Sequence, residues 1–356
     1  MTAEVIIMNK EAVAFAADSA VTMTEEKGLK IFTSANKIFA LSMYYPVGIM
    51  VYGAANFMKV PWETIIKIYR DKLNSRKFDT LEEYADDFIG FLTKGKQLFP
   101  KSEQEIHFKR YIYSYFINIR QQIEKEVSNY LTEKNKQISI KQIKDIISKV
   151  IKQHHKIWDK TEILPSIPKT HSKDLLKYRK IIEEAKKNVF ERLPISTALS
   201  ILLTEIATSL FSKFPKEISP PSLSGVVIAG FGDKDIYPSL RSFFLEGITN
   251  NVLKYKKGVE HKVSLKGAAI IPFAQHDMVY TFMEGISPDY EEEIEKYFSQ
   301  ICEKYPKIIF ENINKLYNRE KVELTKIFKK VSSEWIKKYR KRLENYRKKN
   351  IYNTCD

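Results

Sequence analysis

The chain holds only two cysteines, Cys302 and Cys355, and that scarcity restricts it more than any other feature of its composition. Two are too few to staple a disulfide scaffold, and neither belongs to a paired-cysteine spacing of the kind that holds a metal. A reducing, cytoplasmic setting is expected. Also missing is an apolar run long enough to span a bilayer. Glu4 and Lys10 interrupt the apolar residues of the N-terminus early, so it lacks the basic flank and central apolar stretch of a secretory signal, and no membrane partner is expected. No Gly-, Ser- or Pro-rich tract marks a linker, and no internal repeat is found.

Acidic residues are in deficit, with 44 Asp and Glu against 59 Lys and Arg, a formal net charge of +15. A positive field recruits phosphates whatever their sequence. Here, however, lysine runs through every helical segment together with Ile, Asn and Tyr. The excess therefore reads as a chain-wide bias, and nucleic acid is the weaker of the partner classes. What is present is a globular composition: 356 residues, 44% apolar and 12% aromatic, enough to bury a large core in one big domain or two ordinary ones.

Residues 2 to about 60 read as β-rich. "AEVIIM" and "AVAFAAD" flank Asn9-Lys10-Glu11, a polar break suited to a hairpin, with Asn9 the residue expected to take positive φ. A loop carrying Gly28 is expected next, then "KIFTSANKIFALS" and "PVGIMVYGAAN" as further strands, the last bounded by Pro46 and Gly53. At Pro61 the period changes to helical and stays so to about residue 215, with Pro61 predicted at a helix's first position. Thr80 with Glu83, Ser102 with Glu105 and Ser139 with Gln142 match the capping-box spacing and predict three more helix starts. From Ser224 strands return in "GVVIAGFGD", "LRSFFLEGI" and "VSLKGAAIIPFAQ". After "SPDYEEEIEKYF" the reading is helix almost to the end, where Leu324, Phe328, Val331, Trp335, Tyr339, Leu343 and Tyr346 trace one apolar stripe on a basic helix.

Thr2 stands directly behind Met1, ahead of two apolar runs that end in Asp18. A threonine hydroxyl is poorly nucleophilic, so a catalytic Thr2 needs its own α-amine as base, and Met1 must be removed. The opening stretch "TAEVIIMNKEAVAFAADSAVT", followed by "KIFTSANKIFALSMYYPVGIMVYGAANF", resembles the start of proteasome β-subunits and their bacterial two-tier relative, the threonine-type N-terminal-nucleophile (Ntn) hydrolases. Thr2, Asp18, Lys30 and Gly53 match that family's nucleophile, strand-end aspartate, strand-starting lysine and turn glycine in order. Thr22 falls where the family has a threonine whose main chain pairs with substrate, and Lys37 matches a second family lysine.

The resemblance implies an α+β fold, an Ntn-hydrolase-like four-layer αββα sandwich of two mainly antiparallel sheets. A large all-α insertion and a helical C-terminal tail are added to it. The corresponding division is 1–60 with 220–285 as sandwich, 61–219 as insertion and 286–356 as basic tail. It also implies a peptidase-like amidohydrolase that needs no cofactor and no metal, acts on a peptide or other amide, and can form homo-oligomers. A cationic Lys30 beside the Thr2 hydroxyl would stabilise a developing alkoxide, Asp18 would hold the ammonium, and the Gly53 N–H would serve the oxyanion.

Each of these residues also has an ordinary structural explanation, as frayed terminus, strand cap, surface lysine and turn. Two family features are not found. The small Gly/Ser turn after "SLKGAAIIPF" is replaced by "AQHDMVYTFMEGI", where Gln275, His276 and Asp277 are better read as a helix cap. The closing C-terminal strands are replaced by lysine-rich helix. A catalytically silent scaffold working through its basic helices is therefore the alternative. His154 and His155 are adjacent and make a poor metal pair on a helix, and the remaining histidines are read as structural or surface.

Overall fold

The computed structural model describes residues 3–19, 21–25, 28–32, 36–95, 97–134, 138–218, 220, 222–265, 267–274, 276–312 and 317–347. The chain is a mixed α/β protein built on antiparallel sheets. It divides into two compact units, Met1–Ala35 with Val263–Asp356, and Asn36–Lys262. No described helix is long and apolar enough to cross a membrane.

The first unit opens with β1 (Ala3–Met8), β2 (Val13–Ala17), β3 (Val21–Glu25) and β4 (Gly28–Phe32). The second holds β5 (Ile38–Ala40), β6 (Val47–Gly53), the short ladder β7 (Asn56–Phe57) with β8 (Val60–Pro61), then α1 (Trp62–Leu73) and α2 (Leu81–Lys94). It continues through α3 (Lys101–Lys134), α4 (Ile140–Lys160), α5 (His171–Asp174), α6 (Arg179–Phe190) and α7 (Thr197–Ser209). Its last strands are β9 (Ser224–Gly230), β10 (Ser239–Thr249) and β11 (Val252–Lys262). The first unit then resumes with β12 (Ala269–Ala274), α8 (His276–Glu284), α9 (Pro288–Asn312) and α10 (Asn318–Arg347).

In the first unit β1 lies between β12 and β2, antiparallel to both, with Ile6 opposite Ile271 on one side and Phe15 on the other. Ile6 and Met8 are buried while Ile7 is exposed, the period-2 alternation of a strand with one covered face. The β1–β2 turn forms at Asn9, but by a different device from the one expected. Asn9 does not take positive φ. Its side-chain Oδ1 accepts from the backbone N–H groups of Glu11 and Ala12, both at 2.9 Å, an Asx turn that closes the hairpin without left-handed backbone. The loop expected around Gly28 is a second hairpin, β3 with β4, and "KIFTSANKIFALS" is divided between β4 and β5, which belong to different sheets.

The second unit is organised on a five-stranded antiparallel sheet in the order β11-β10-β9-β6-β5. All seven residues of β9 are buried. Helices α1 and α2 lay Trp62, Ile65, Tyr69, Leu81, Tyr84 and Phe88 on Ile49, Val51, Val226, Ile228, Phe243 and Leu245 of that sheet. Full burial of each such side chain contributes about 1.5–3 kcal/mol. A separate core joins α3, α4, α6 and α7 through Phe108, Ile112, Phe116, Ile147, Ile151, Ile182, Leu203 and Ile206. The helical segment beginning at residue 61 thus shares a unit with β9–β11, a cut of the chain different from the one at 60/61 and 219/220, because α1 and α2 cover the sheet.

Helix starts follow local chemistry. Thr80 and Ser139 form reciprocal capping boxes with Glu83 and Gln142. Ser102 does not cap, because α3 begins one residue earlier and the Pro100 carbonyl accepts from Glu103 and Gln104. Pro61 is the cap of α1 rather than its first residue. The strand β11 lies outside the three strands read from the sequence beyond Ser224. Its signal was the Asn250-Asn251 pair, whose φ angles of 52° and 59° are the left-handed ones of a two-residue type I′ hairpin.

Candidate active site

Thr2 lies outside the described residues. What surrounds its place in the sequence is described: β1 starts at Ala3, and the Asp18 backbone N–H donates to the Ala3 carbonyl at 3.1 Å. The β1–β2 ladder continues to that point, with Glu4 opposite Ala17. Asp18 is half-buried at the end of β2. Strand pairing therefore brings the strand-end aspartate alongside the residue that follows Thr2, which is a consequence of the hairpin length set at Asn9.

Thr22 and Lys30 lie in the β3–β4 hairpin, where Thr22 is opposite Ile31 and Lys30 opposite Met23. Lys30 is thus in the middle of its strand. The side chains of both lie outside the described residues. Asp18, Thr22 and Lys30 belong to the first unit, whereas Gly53 and Lys37 belong to the second. Lys37 is buried, and its carbonyl accepts from the Val51 N–H at 2.9 Å. Gln275 is outside the described residues, His276 starts α8, and Asp277 lies in that helix's first turn.

Gly53 ends β6 with φ +81°, opposite Ser224. A Cβ added there would stand 2.3 Å from the Leu223 carbonyl oxygen, so both the backbone conformation and the close approach require glycine. The turn is fixed from three sides. The Ala54 N–H donates to the Leu223 carbonyl at 3.1 Å, the Ser224 hydroxyl donates to the Ala54 carbonyl at 3.3 Å, and the Trp62 indole N–H donates to the Ser224 hydroxyl at 3.1 Å. A backbone amide held in this way is preorganised, which is what an oxyanion donor requires.

Sequence reading missed a second polar centre. Glu246 and Lys254, 4% exposed each, face one another with Oε2 to Nζ at 2.6 Å. The register jumps here: Leu245 pairs with Tyr255 and Gly247 with Lys254, leaving Glu246 as the extra residue of a β-bulge. Lys254 also donates to the Leu210 carbonyl at 2.5 Å and lies 4.2 Å over the Phe214 ring. Burial raises the Glu246 carboxyl above its ordinary range and lowers the Lys254 ammonium, each opposed by its partner's charge. Burial, then the Glu246 charge, raises the Tyr111 hydroxyl. The available signal was an acid inside the apolar run "FFLEGI".

Above this centre, Tyr111, Tyr113, Tyr115, Gln122, His154 and Phe214 line part of an open cleft of about 1640 Å³ within the second unit. Its most ordered polar group is a closed relay. The Trp158 indole donates to the Tyr115 hydroxyl at 2.7 Å, that hydroxyl meets His154 Nδ1 at 2.8 Å, and His154 Nε2 meets Gln122 Oε1 at 2.7 Å. Burial lowers the His154 imidazole and favours its neutral form, in which Nε2 donates to the Gln122 oxygen and Nδ1 accepts from Tyr115. Every member is satisfied, so the relay fixes α3 against α4 and offers no free group. His155 pairs with Glu205 at 2.6 Å, and His107 packs over Gly247. Among the described residues no group of His, Cys, Asp and Glu is placed to hold a metal.

Compared with known proteins, the chain matches no family model and no curated protein.

Proposed function

We propose that the chain is a threonine-type N-terminal-nucleophile amidohydrolase acting on a peptide or other amide, built on the Ntn sandwich. Removal of Met1 exposes the Thr2 amine. That amine takes the proton of Oγ as Oγ attacks the amide carbonyl, and returns it to the leaving nitrogen as the C–N bond breaks. The resulting acyl-enzyme ester is hydrolysed when water adds and gives its proton to the same amine, which returns it to Oγ as the C–Oγ bond breaks. Lys30, held by Asp18, stabilises the alkoxide, and the Gly53 N–H stabilises the tetrahedral oxyanion.

The observation that carries this reading is the strand-end bond between Asp18 N–H and the Ala3 carbonyl, which sets the main chain of Asp18 opposite the residue after Thr2. The left-handed, braced Gly53 supports it. So do the antiparallel three-stranded and five-stranded sheets, the larger of which buries both faces of β9. Intact mass of the purified protein tests the first requirement, since retained Met1 blocks the amine and ends the reading. With Met1 removed, a β-lactone or epoxyketone probe is expected to form an adduct on Thr2 that Thr2→Ala abolishes.

The absence of closing strands favours the scaffold alternative, because only helices follow β12 among the described residues. That reading expects unaltered mass after exposure to either probe, with Met1 gone.

A further inference from the structure

The first unit ends in a helical hairpin whose apolar surface is turned outward. Arg340 of α10 clasps Glu295 of α9 through two contacts, at 2.8 and 2.5 Å, and Lys329 lies 3.7 Å from Glu303. Partner numbers that fall on one helix as they rise on the other make the two helices antiparallel. Between them runs a groove of about 470 Å³ lined by Ile294, Phe298 and Ile301 from α9 and by Phe328, Val331 and Trp335 from α10. Its aromatic rim is open, with Phe298 56%, Tyr305 59% and Trp335 64% exposed. The apolar stripe read from the sequence is thus real as far as Tyr339, while the side chains of Leu343 and Tyr346 lie outside the described residues. Contiguous apolar surface of this kind marks an interaction site.

Charge narrows the occupant. Helix α9 carries seven carboxylates against three lysines, five of the acids between Asp289 and Glu295. Helix α10 carries eleven Lys and Arg against four Glu, six of the bases between Lys337 and Arg347. Antiparallel pairing sets the acidic end of α9 beside the basic end of α10. An anionic lipid surface suits α10 alone, because α9 would press its carboxylates into the same headgroups. Nucleic acid repels α9 in the same way and leaves the groove unfilled. With acids gathered at one end of α9 and bases at the adjoining end of α10, that end of the hairpin is complementary to a second copy of itself.

We propose that this face binds a second copy of the chain. A two-fold axis parallel to the helices lays α9 of one copy over α10 of the other, repeating between copies the acid-on-base match seen within the hairpin and closing a four-helix bundle over both grooves. Each helix then lies antiparallel to both neighbours.

Sedimentation equilibrium of the full-length protein tests this, with Trp335 emission as a second readout, since Trp62 and Trp158 are already buried at 2% exposure. A concentration-dependent dimer is expected, with Trp335 emission moving to shorter wavelength as it forms. Trp335→Glu and Phe298→Glu, both at exposed positions, are expected to weaken it at least 100-fold with unchanged circular dichroism. A monomer at every concentration up to about 100 μM overturns the proposal. So does a dimer indifferent to both substitutions, or binding of anionic vesicles or duplex DNA by a monomer that Trp335→Glu abolishes.

Discussion

The two units treat apolar surface in different ways, although each buries a carboxylate, Glu4 in the first and Glu246 in the second. The second buries a carboxylate and an ammonium within a packed sheet and buries Trp62, Trp158, Phe88 and Phe108. The first leaves Phe298, Tyr305 and Trp335 in solvent and places its charges in rows along a helical hairpin. The contrast teaches where each is complete. Asn36–Lys262 has two filled cores, and the Tyr115–His154–Gln122 relay is satisfied within it. The unit made of the chain's two ends carries the unfilled surface and three of the expected catalytic positions. Regions of low packing density are the ones recruited for binding and for motion.

The sharpest way to break the comparison is to strand one of the buried charges. Lys254→Met leaves Glu246 unpaired and is expected to destabilise the second unit by about 3–5 kcal/mol, whereas Glu246→Leu with Lys254→Met restores most of that loss. Urea unfolding followed through Trp62 and Trp158, both in this unit, checks it.

Acid comes next. Burial, with Arg110 and Lys254 nearby, holds the His107 imidazole down to about 4. Its unfolded value is about 6.5, so between these values the unfolded chain binds the proton and the native state does not. The stability His107 confers is complete above pH 6.5 and is lost as pH falls toward 4, by about 3 kcal/mol. Burial lowers His154 and His171 also, adding loss of the same sign. The raised Glu246 carboxyl acts oppositely as it takes a proton, coupled to Lys254. His107→Leu is expected to flatten the pH dependence of the urea midpoint between pH 6.5 and pH 4.

A smaller effect is expected of Gly53→Ala, which forces a Cβ against the Leu223 carbonyl in a left-handed backbone and costs roughly 2 kcal/mol. If Gly53 also serves the oxyanion, probe labelling of Thr2 falls by far more than stability, a split that a thermal melt and a labelling rate separate. Ser139→Ala removes one side of the α4 capping box and is expected to cost about 1 kcal/mol in the same urea assay.

The sequence was legible where a local rule acts alone. The capping boxes at Thr80 and Ser139, the return to strands after Ser224 and the hairpin at Asn9 all follow from residues within a few positions of one another. Reading failed where partners lie far apart. The division of "KIFTSANKIFALS" depends on which sheet each half joins, whereas the start of α3 was missed locally, Lys101 rather than Ser102 opening the helix behind Pro100. The acid in "FFLEGI" was visible, but its pairing was not, because its partner is fixed by a ladder irregularity and its cover by α3 and the segment around Phe214. Of the expected catalytic set, Asp18 and Gly53 have describable geometry, since strand pairing and a required glycine conformation are both backbone properties.

The bulge at Glu246 has a consequence for the protein's history. Its carboxylate faces Lys254 only because β10 carries one residue more than β11 at that point. Loss of a single codon there would remove the acid and restore an even ladder together, while stranding the lysine. Stepwise exchange of either residue passes through an intermediate carrying a lone buried charge. Descendants of this gene are therefore expected to keep the two residues, or to replace both at once.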